Sequence, residues 1–155
     1  MRWSTLILCA TIFVSIGCQP SPYYATDLVF EDSSWDQSDQ LVASFEIVDT
    51  VSRYDLYLDI DHSKDYRYEN IYLQIETQFP HKDAVTQVLP VDIANKKGQW
   101  YGKCGSKSCK LRVVLRDKTK FQALGNYQIS IGQFSREDQL DGINEVELLL
   151  MEIAE

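Results

Sequence analysis

The clearest structural signal in the chain is the stretch Leu41-Val42-Ala43-Ser44-Phe45-Glu46-Ile47-Val48. All of its odd-numbered positions are apolar, whereas polar Ser44 and Glu46 fall among the even-numbered ones. Successive side chains of a strand point to opposite faces of a sheet, so this period of two predicts a strand with one buried and one wet face.

The same period recurs along the chain in segments that are separated by turn-forming residues. Strong alternation marks residues 54–61, 71–79, 111–115, 127–131 and 146–150, and weaker apolar runs lie at 28–30, 85–89 and 100–101. Gly98, Gly125 and Gly142 fall between these runs, where tight turns need residues that tolerate positive φ. An α/β fold would need helical runs of ten or more residues between strands. The pattern therefore predicts a single antiparallel β-sandwich, Ig-like or jelly-roll-like, of about seven to nine strands after an N-terminal signal helix.

The N-terminus has the pattern of a bacterial lipoprotein signal. Arg2 gives the short start a positive charge, an apolar run follows from Leu6, and small residues Ser15 and Gly17 stand just before Cys18. The apolar run is shorter than the roughly 20 residues that a membrane span needs, and polar residues follow at once. Cleavage before Cys18 and acylation of Cys18, with chains such as palmitate, are the expected outcome.

This signal predicts three parts of the chain and an address in the cell envelope. Residues 1–17 would be removed, 18–26 would form a lipidated tether, and 27–155 would form one domain. The mature protein would be anchored to a membrane through its lipid instead of spanning it. An acidic run just after such a cysteine resembles a surface-export signal, and its absence here favours the periplasmic side.

The charge of the chain is unevenly distributed. The formal net charge is −8, which argues against a nucleic-acid partner because such proteins carry a basic footprint. Residues 96–120, called the basic sector below, nevertheless hold nine bases and one acid. The basic sector could meet an acidic partner or anionic headgroups, with Lys103, Lys107 and Lys110 as candidate contacts, or it could be ordinary solvated strand surface.

Only two of the four cysteines are expected to remain as thiols in the mature domain. Cys9 leaves with the signal and Cys18 is the lipid site, so Cys104 and Cys109 remain as a nearby pair in an oxidising compartment. A disulfide between them is predicted. Half a zinc site is the weaker interpretation, because a second ligand pair is missing nearby.

The residues give no indication of catalysis or of a metal or other cofactor. Asp59 to Asp65 has the oxygen spacing of a calcium loop, but Lys64 and Asn70 stand where the sharp-turn glycine and the bidentate glutamate are required. His62 and His81 are predicted in polar, turn-like surroundings, and the sequence contains no nucleophile-elbow motif. We therefore expect no catalytic residue, no cofactor and no small-molecule substrate.

Tyr57 and Tyr72 are a candidate binding pair. Both are predicted on the wet faces of strands that would pair as a hairpin through residues 62–70. Two exposed aromatic rings side by side could stack on a sugar or contact a protein. The alternative is a cross-strand pair that only stabilises the sheet.

Several motifs in order resemble the gliding motility lipoprotein GldH family. They are Trp35 ahead of 41–45, Tyr54-Asp55-Leu56-Tyr57-Leu58-Asp59-Ile60, Asp65 to Leu73, Gly98-Gln99-Trp100-Tyr101-Gly102, Phe121 with Gly125-Asn126-Tyr127, and Leu140-Asp141-Gly142-Ile143-Asn144-Glu145-Val146. Glu145 and Glu147 depart from the Asp and Gly that are common there, and the Cys104/Cys109 loop is not expected to be widely shared.

The resemblance implies a non-enzymatic envelope lipoprotein that serves gliding motility in a machinery linked to type IX secretion. It implies other gliding and secretion envelope proteins as partners, together with the bilayer through acylated Cys18, and a role as scaffold or interaction module. The alternative is a periplasmic carbohydrate-binding lipoprotein that uses Tyr57 and Tyr72.

Overall fold

A computed structural model describes residues 21–153, and every regular element in this range is a β-strand. The strands are β1 Tyr24–Val29, β2 Ser34–Asp36, β3 Gln40–Ile47, β4 Arg53–Ser63, β5 Asn70–Gln78, β6 Val85–Asp92, β7 Lys103–Cys104, β8 Ser108–Thr119, β9 Gly125–Gln133, β10 Gln139–Asp141 and β11 Ile143–Ile153. Cys18 and the predicted signal helix lie outside the described residues. Within residues 21–153, no helix is long and apolar enough to span a membrane.

Two large antiparallel sheets face each other across one core. The first has the order β1-β11-β4-β8-β7, the second has the order β3-β9-β5-β6, and β2 pairs with β10 as a small third sheet. The predicted all-β antiparallel fold is confirmed, although the eleven strands exceed the predicted seven to nine.

The core follows the period of two. In β3 burial alternates strictly, with Leu41, Ala43, Phe45 and Ile47 inside. The second sheet adds apolar side chains from β5 and β9, and the first adds those of the central strands β4 and β11. Fully buried examples from these strands are Leu58, Ile60, Leu73, Ile131, Leu148 and Leu150.

The strands that the sequence did not predict are β2, β7 and β10, which have two or three residues each. Such short segments cannot display a period. Trp35 in β2 is fully buried, stacks on Phe30 with ring centroids 5.2 Å apart, and donates from Nε1 to the Asp39 carbonyl at 2.9 Å. Conversely, the predicted strand at 100–101 is absent, because Trp100 forms only an isolated bridge with Ala94.

Strand β1 begins inside the segment predicted as tether, since Tyr24 already pairs with Leu150. The ring of Tyr23 packs 5.3 Å from that of Tyr54, and the ring of Tyr24 packs 5.5 Å from that of Phe45. These aromatic contacts hold the last residues of the predicted tether on the domain.

Two glycines of the motifs that carry the family resemblance hold loops against strands. Gly102 has φ 82°, and a Cβ there would collide with the carbonyl oxygen of Lys110 and lie 2.8 Å from the Cα of Leu111. Gly142 has φ 94°, donates its N–H to the Ser33 carbonyl at 2.6 Å, and would bring a Cβ within 3.3 Å of the Cα of Tyr66. These motifs are therefore explained by architecture, because only glycine tolerates such positions.

Candidate functional site

The basic sector forms the free edge of the five-stranded sheet. The short strand β7 pairs with the start of β8, which places Lys103 opposite Lys110 and Cys104 opposite Cys109. The predicted disulfide between Cys104 and Cys109 is present and closes this hairpin. Beyond this hairpin, β8 has a partner strand only on its β4 side in the part of the chain that the structure describes.

The three candidate lysines are not equivalent. Lys103 and Lys107 are exposed. In contrast, the Nζ of Lys110 lies 3.0 Å from Glu147 Oε2 and 3.9 Å from Asp59 Oδ2. Burial alone lowers the pKa of Lys110, but the hydrogen bond to Glu147 and the surrounding carboxylates outweigh it and raise this pKa. Lys110 is thus committed to an internal ion pair, which leaves Lys103 and Lys107 available to a partner.

Asp59 is a carboxylate buried on the outer face of β4. Arg112 reaches it from β8 with two hydrogen bonds, Nε to Oδ1 at 2.7 Å and Nη2 to Oδ2 at 2.8 Å. Hydrogen bonding to Asp59 is the main reason that the pKa of Arg112 is raised. Asp61 accepts from Asn144 at 2.6 Å and from Ser108 at 3.3 Å. The spacing that resembles a calcium loop therefore serves cross-strand pairs.

Tyr57 belongs to the same charged face and is not a free platform. The guanidinium of Arg112 lies 5.2 Å from the centre of its ring, in the range of a cation–π contact. Its hydroxyl donates to Asp55 at 2.8 Å, and this hydrogen bond, with burial as a second cause, raises the pKa of Tyr57. The pKa of Asp55 is lowered because its carboxylate accepts from the Lys118 amide at 2.8 Å and from Tyr57.

The predicted hairpin that would bring Tyr57 and Tyr72 together is wrong. β4 lies in the five-stranded sheet between β11 and β8, whereas β5 lies in the other sheet between β9 and β6. The connection crosses from one sheet to the other, and Tyr66 within it is buried. The two tyrosines consequently belong to different surfaces.

Tyr72 instead joins an aromatic groove, defined by the exposed rings of Tyr68, Tyr72 and Phe134. The groove has a volume of about 600 Å³, and Arg136 and Glu137 add opposite charges to its lining. The Phe134 amide donates to the Tyr72 carbonyl at 2.8 Å, which holds the backbones of these two residues together. Sequence reasoning missed Tyr68 and Phe134, because neither lies in an alternating strand segment.

The histidines also differ from expectation. His62 is fully buried at the end of β4, so its predicted turn-like surroundings are wrong. Its Nδ1 lies 2.9 Å from the Ser63 carbonyl and its ring meets Trp100 edge to face at 4.8 Å. His81 is exposed, with φ 59°. Within residues 21–153, no group of three or more His, Cys, Asp or Glu side chains is arranged to hold a metal ion.

Fold and surfaces together define an all-β sandwich domain with a basic sheet edge and an aromatic groove. The chain belongs to the GldH lipoprotein family, whose model matches residues 23–149. The family is one of lipoproteins, which are anchored in the cell envelope. The chain is 27% identical over 146 residues to a gliding motility lipoprotein GldH homolog of Christiangramia forsetii, covering 94% of this chain and 89% of that protein. No solved structure matches the chain.

Proposed function

We propose that the protein is a non-enzymatic component of a bacterial gliding motility machinery linked to type IX secretion. It is anchored through acylated Cys18, its domain faces the periplasm, and it acts as an interaction module that docks another envelope protein. Support comes from the family match and from the similarity to a relative named for gliding motility. The observation that carries the docking mode is the free basic edge at β7 and β8.

The outer edge of β8 offers two kinds of contact to a partner. Unpaired N–H and C=O groups of an edge strand can accept an added strand, which is one recurring mode of protein recognition. The exposed side chains of Lys103 and Lys107, in the hairpin that the disulfide closes, would favour an acidic segment. The same cations also oppose edge-to-edge pairing between two molecules of this protein, because like charges repel.

The docking test reverses charge on exposed lysines and spares Lys110. The variant is Lys96→Glu, Lys97→Glu, Lys103→Glu and Lys107→Glu. Each exposed change should alter the free energy of unfolding by no more than about 0.5 kcal/mol. Colony spreading and secretion of surface adhesins should nevertheless fall when this is the only copy in the cell, because the docking charges are reversed.

The matched control changes four exposed acids, with Asp32→Lys, Asp39→Lys, Asp65→Lys and Asp83→Lys. Asp36 is left intact because it accepts hydrogen bonds from Ser38, at 2.8 Å from both the amide and the hydroxyl. The control should be folded and functional. If the Lys→Glu variant is functional and the Asp→Lys control is not, the docking face is on the opposite side.

Carbohydrate binding is the second candidate function, and the aromatic groove favours it. Tyr68, Tyr72 and Phe134 present ring faces or edges to solvent beside polar groups, which is the chemistry that holds sugars. A glycan array with the mature chain and its Tyr72→Ala variant separates the two functions. Glycan binding that is lost in the Tyr72→Ala variant would favour the carbohydrate function. An absence of binding to every glycan on the array would favour protein docking.

A further inference from the structure

A cleft opens between the two large sheets on the side where β6 and β8 form their edges. Its volume is about 200 Å³. Both sheets contribute apolar walls, and the main apolar residues are Leu56, Ile75, Leu115, Phe121, Tyr127 and Ile129. A concave apolar site of this kind excludes water from a ligand's hydrocarbon part.

The sandwich is closed on one side and open on the other. On the closed side, the Tyr24 hydroxyl lies 3.2 Å from the amide of Ser44 and links β1 to β3 across the sheets. On the open side, Gln87 lines the cleft from edge strand β6 and is itself exposed. Strand β7 is too short to cover this gap.

The lining of the cleft carries charge of one sign. Lys82, Arg116 and Lys120 line it, and among residues 21–153 no carboxylate does. All three cations are exposed, and none forms an ion pair within residues 21–153. Apolar walls with free cations at the exposed rim are complementary to an amphiphile that has an anionic head.

The cleft lies at the end of the domain where the tether enters. Phe121 in its wall packs 5.4 Å from Tyr54, which in turn packs 5.3 Å from Tyr23. Tyr23 is five positions after Cys18 in the sequence, a span of at most about 18 Å when extended. If Cys18 is acylated, as the proposed function holds, this end of the sandwich faces the bilayer. Leu124, next to the wall residue Ala123, is exposed there as well.

We propose that the cleft binds one anionic phospholipid from the membrane that holds the anchor. The phosphate contacts Lys82, Arg116 and Lys120, and the first part of an acyl chain lies against the apolar walls. The anchor supplies proximity, and the cleft adds a second attachment that fixes the orientation of the domain on the membrane. The proposal takes the anchoring from the proposed function, but it does not depend on the motility role.

Native mass spectrometry of the membrane-extracted mature chain tests the proposal. The chain is exchanged into detergent containing phosphatidylglycerol, phosphatidylcholine or oleate. One phosphatidylglycerol should be retained per chain, with at least tenfold lower occupancy for phosphatidylcholine. Equal retention of phosphatidylcholine, or retention of oleate in place of phosphatidylglycerol, would overturn the assignment.

Two variants locate the bound lipid. The variant with Lys82→Glu, Arg116→Glu and Lys120→Glu should lose at least tenfold in occupancy. Its matched control carries the same charge change at exposed Lys64, Lys96 and Lys97, none of which lines the cleft, and should bind like the parent. A control that loses binding equally would assign the effect to net charge and overturn the site.

The second variant, Gln87→Trp, fills the cleft without any change of charge. Gln87 is exposed on an edge strand, so the fold should tolerate the larger ring. Occupancy should again fall at least tenfold, and undiminished binding would place the lipid elsewhere. The same spectra report the acyl mass on Cys18, so absence of the anchor is distinguished from an empty cleft.

Discussion

At the scale of single residues, the pair of Asp59 and Arg112 has the most demanding environment on the charged face. The side chain of Asp59 is only 5% exposed, whereas that of Arg112 is 53% exposed. A buried carboxylate is tolerated only when it is paired and hydrogen-bonded. Arg112 meets this need with both prongs of its guanidinium, in a geometry that a lysine could not reproduce.

Replacing Arg112 by Met should therefore lower the free energy of unfolding by about 2 kcal/mol, since a buried charge loses two hydrogen bonds. The cost stays below that of a fully buried pair because Lys110 remains 3.9 Å away. Adding Asp59→Asn should recover at least half of the loss by removing the charge. Urea denaturation of the parent, both single variants and the double variant measures this. A double variant less stable than Arg112→Met would contradict the account.

Alternation placed Tyr57, Tyr72 and Lys110 on the correct strand faces but could not assign their partners. The period of two put Lys110 on an outer face, yet its partner Glu147 lies 37 positions away in β11. Which strands become neighbours is decided by the topology of the sheet, and alternation carries no information about it. For this reason the sequence predicts Lys110 as a partner contact, whereas the structure pairs it with Glu147.

At the scale of elements, the hairpin formed by β7 and β8 depends on its disulfide. β7 has two residues, and Cys104 and Cys109 are separated by five positions. Closing so short a loop removes little entropy from the unfolded chain, about 2 kcal/mol in the chain-entropy account. The bond therefore serves chiefly to hold Lys103 and Lys107 at the sheet edge.

Replacing both cysteines by Ala should lower the free energy of unfolding by no more than about 2 kcal/mol. The core should remain intact, since most of it lies in other strands. Thermal unfolding of parent and variant checks the magnitude. In the parent, extracted from the cell envelope without reductant, alkylation should label neither Cys104 nor Cys109. Full labelling of both would refute the oxidised hairpin.

The prediction of the elements themselves was good for long strands and poor for connections. Strands β3, β4, β5, β8, β9 and β11 follow from alternation because each buries one face. The link from β4 to β5 could not be predicted, since a turn within a hairpin and a crossing between sheets use similar polar residues. What distinguishes them here is the buried ring of Tyr66, a single position without periodic context.

At the scale of the whole molecule, the proposed anchor at Cys18 would decide which end of the sandwich meets the membrane. The chain enters the first sheet at Tyr24, so the ends of β3 and β5 and the start of β4 lie on the anchor side. The hairpin of β7 and β8 lies at the other end, next to the end of β4 at Ser63. Partner docking and lipid binding are therefore assigned to opposite ends of one domain.

This arrangement requires that Cys18 be the first residue of the mature protein and carry lipid. Each buried methylene contributes about 0.8 kcal/mol, so two or more acyl chains give stable attachment where a single chain would not. The intact mass of the membrane-extracted protein should show a chain beginning at Cys18 plus at least two acyl groups. A Cys18→Ala variant should lose the acyl mass and should no longer be found in the membrane fraction.

A mature N-terminus at another residue, or a Cys18 without acyl mass, would contradict the proposed orientation of the domain on the membrane. The assignment of lipid binding to the cleft and of partner docking to the opposite end of the domain would then lose its basis.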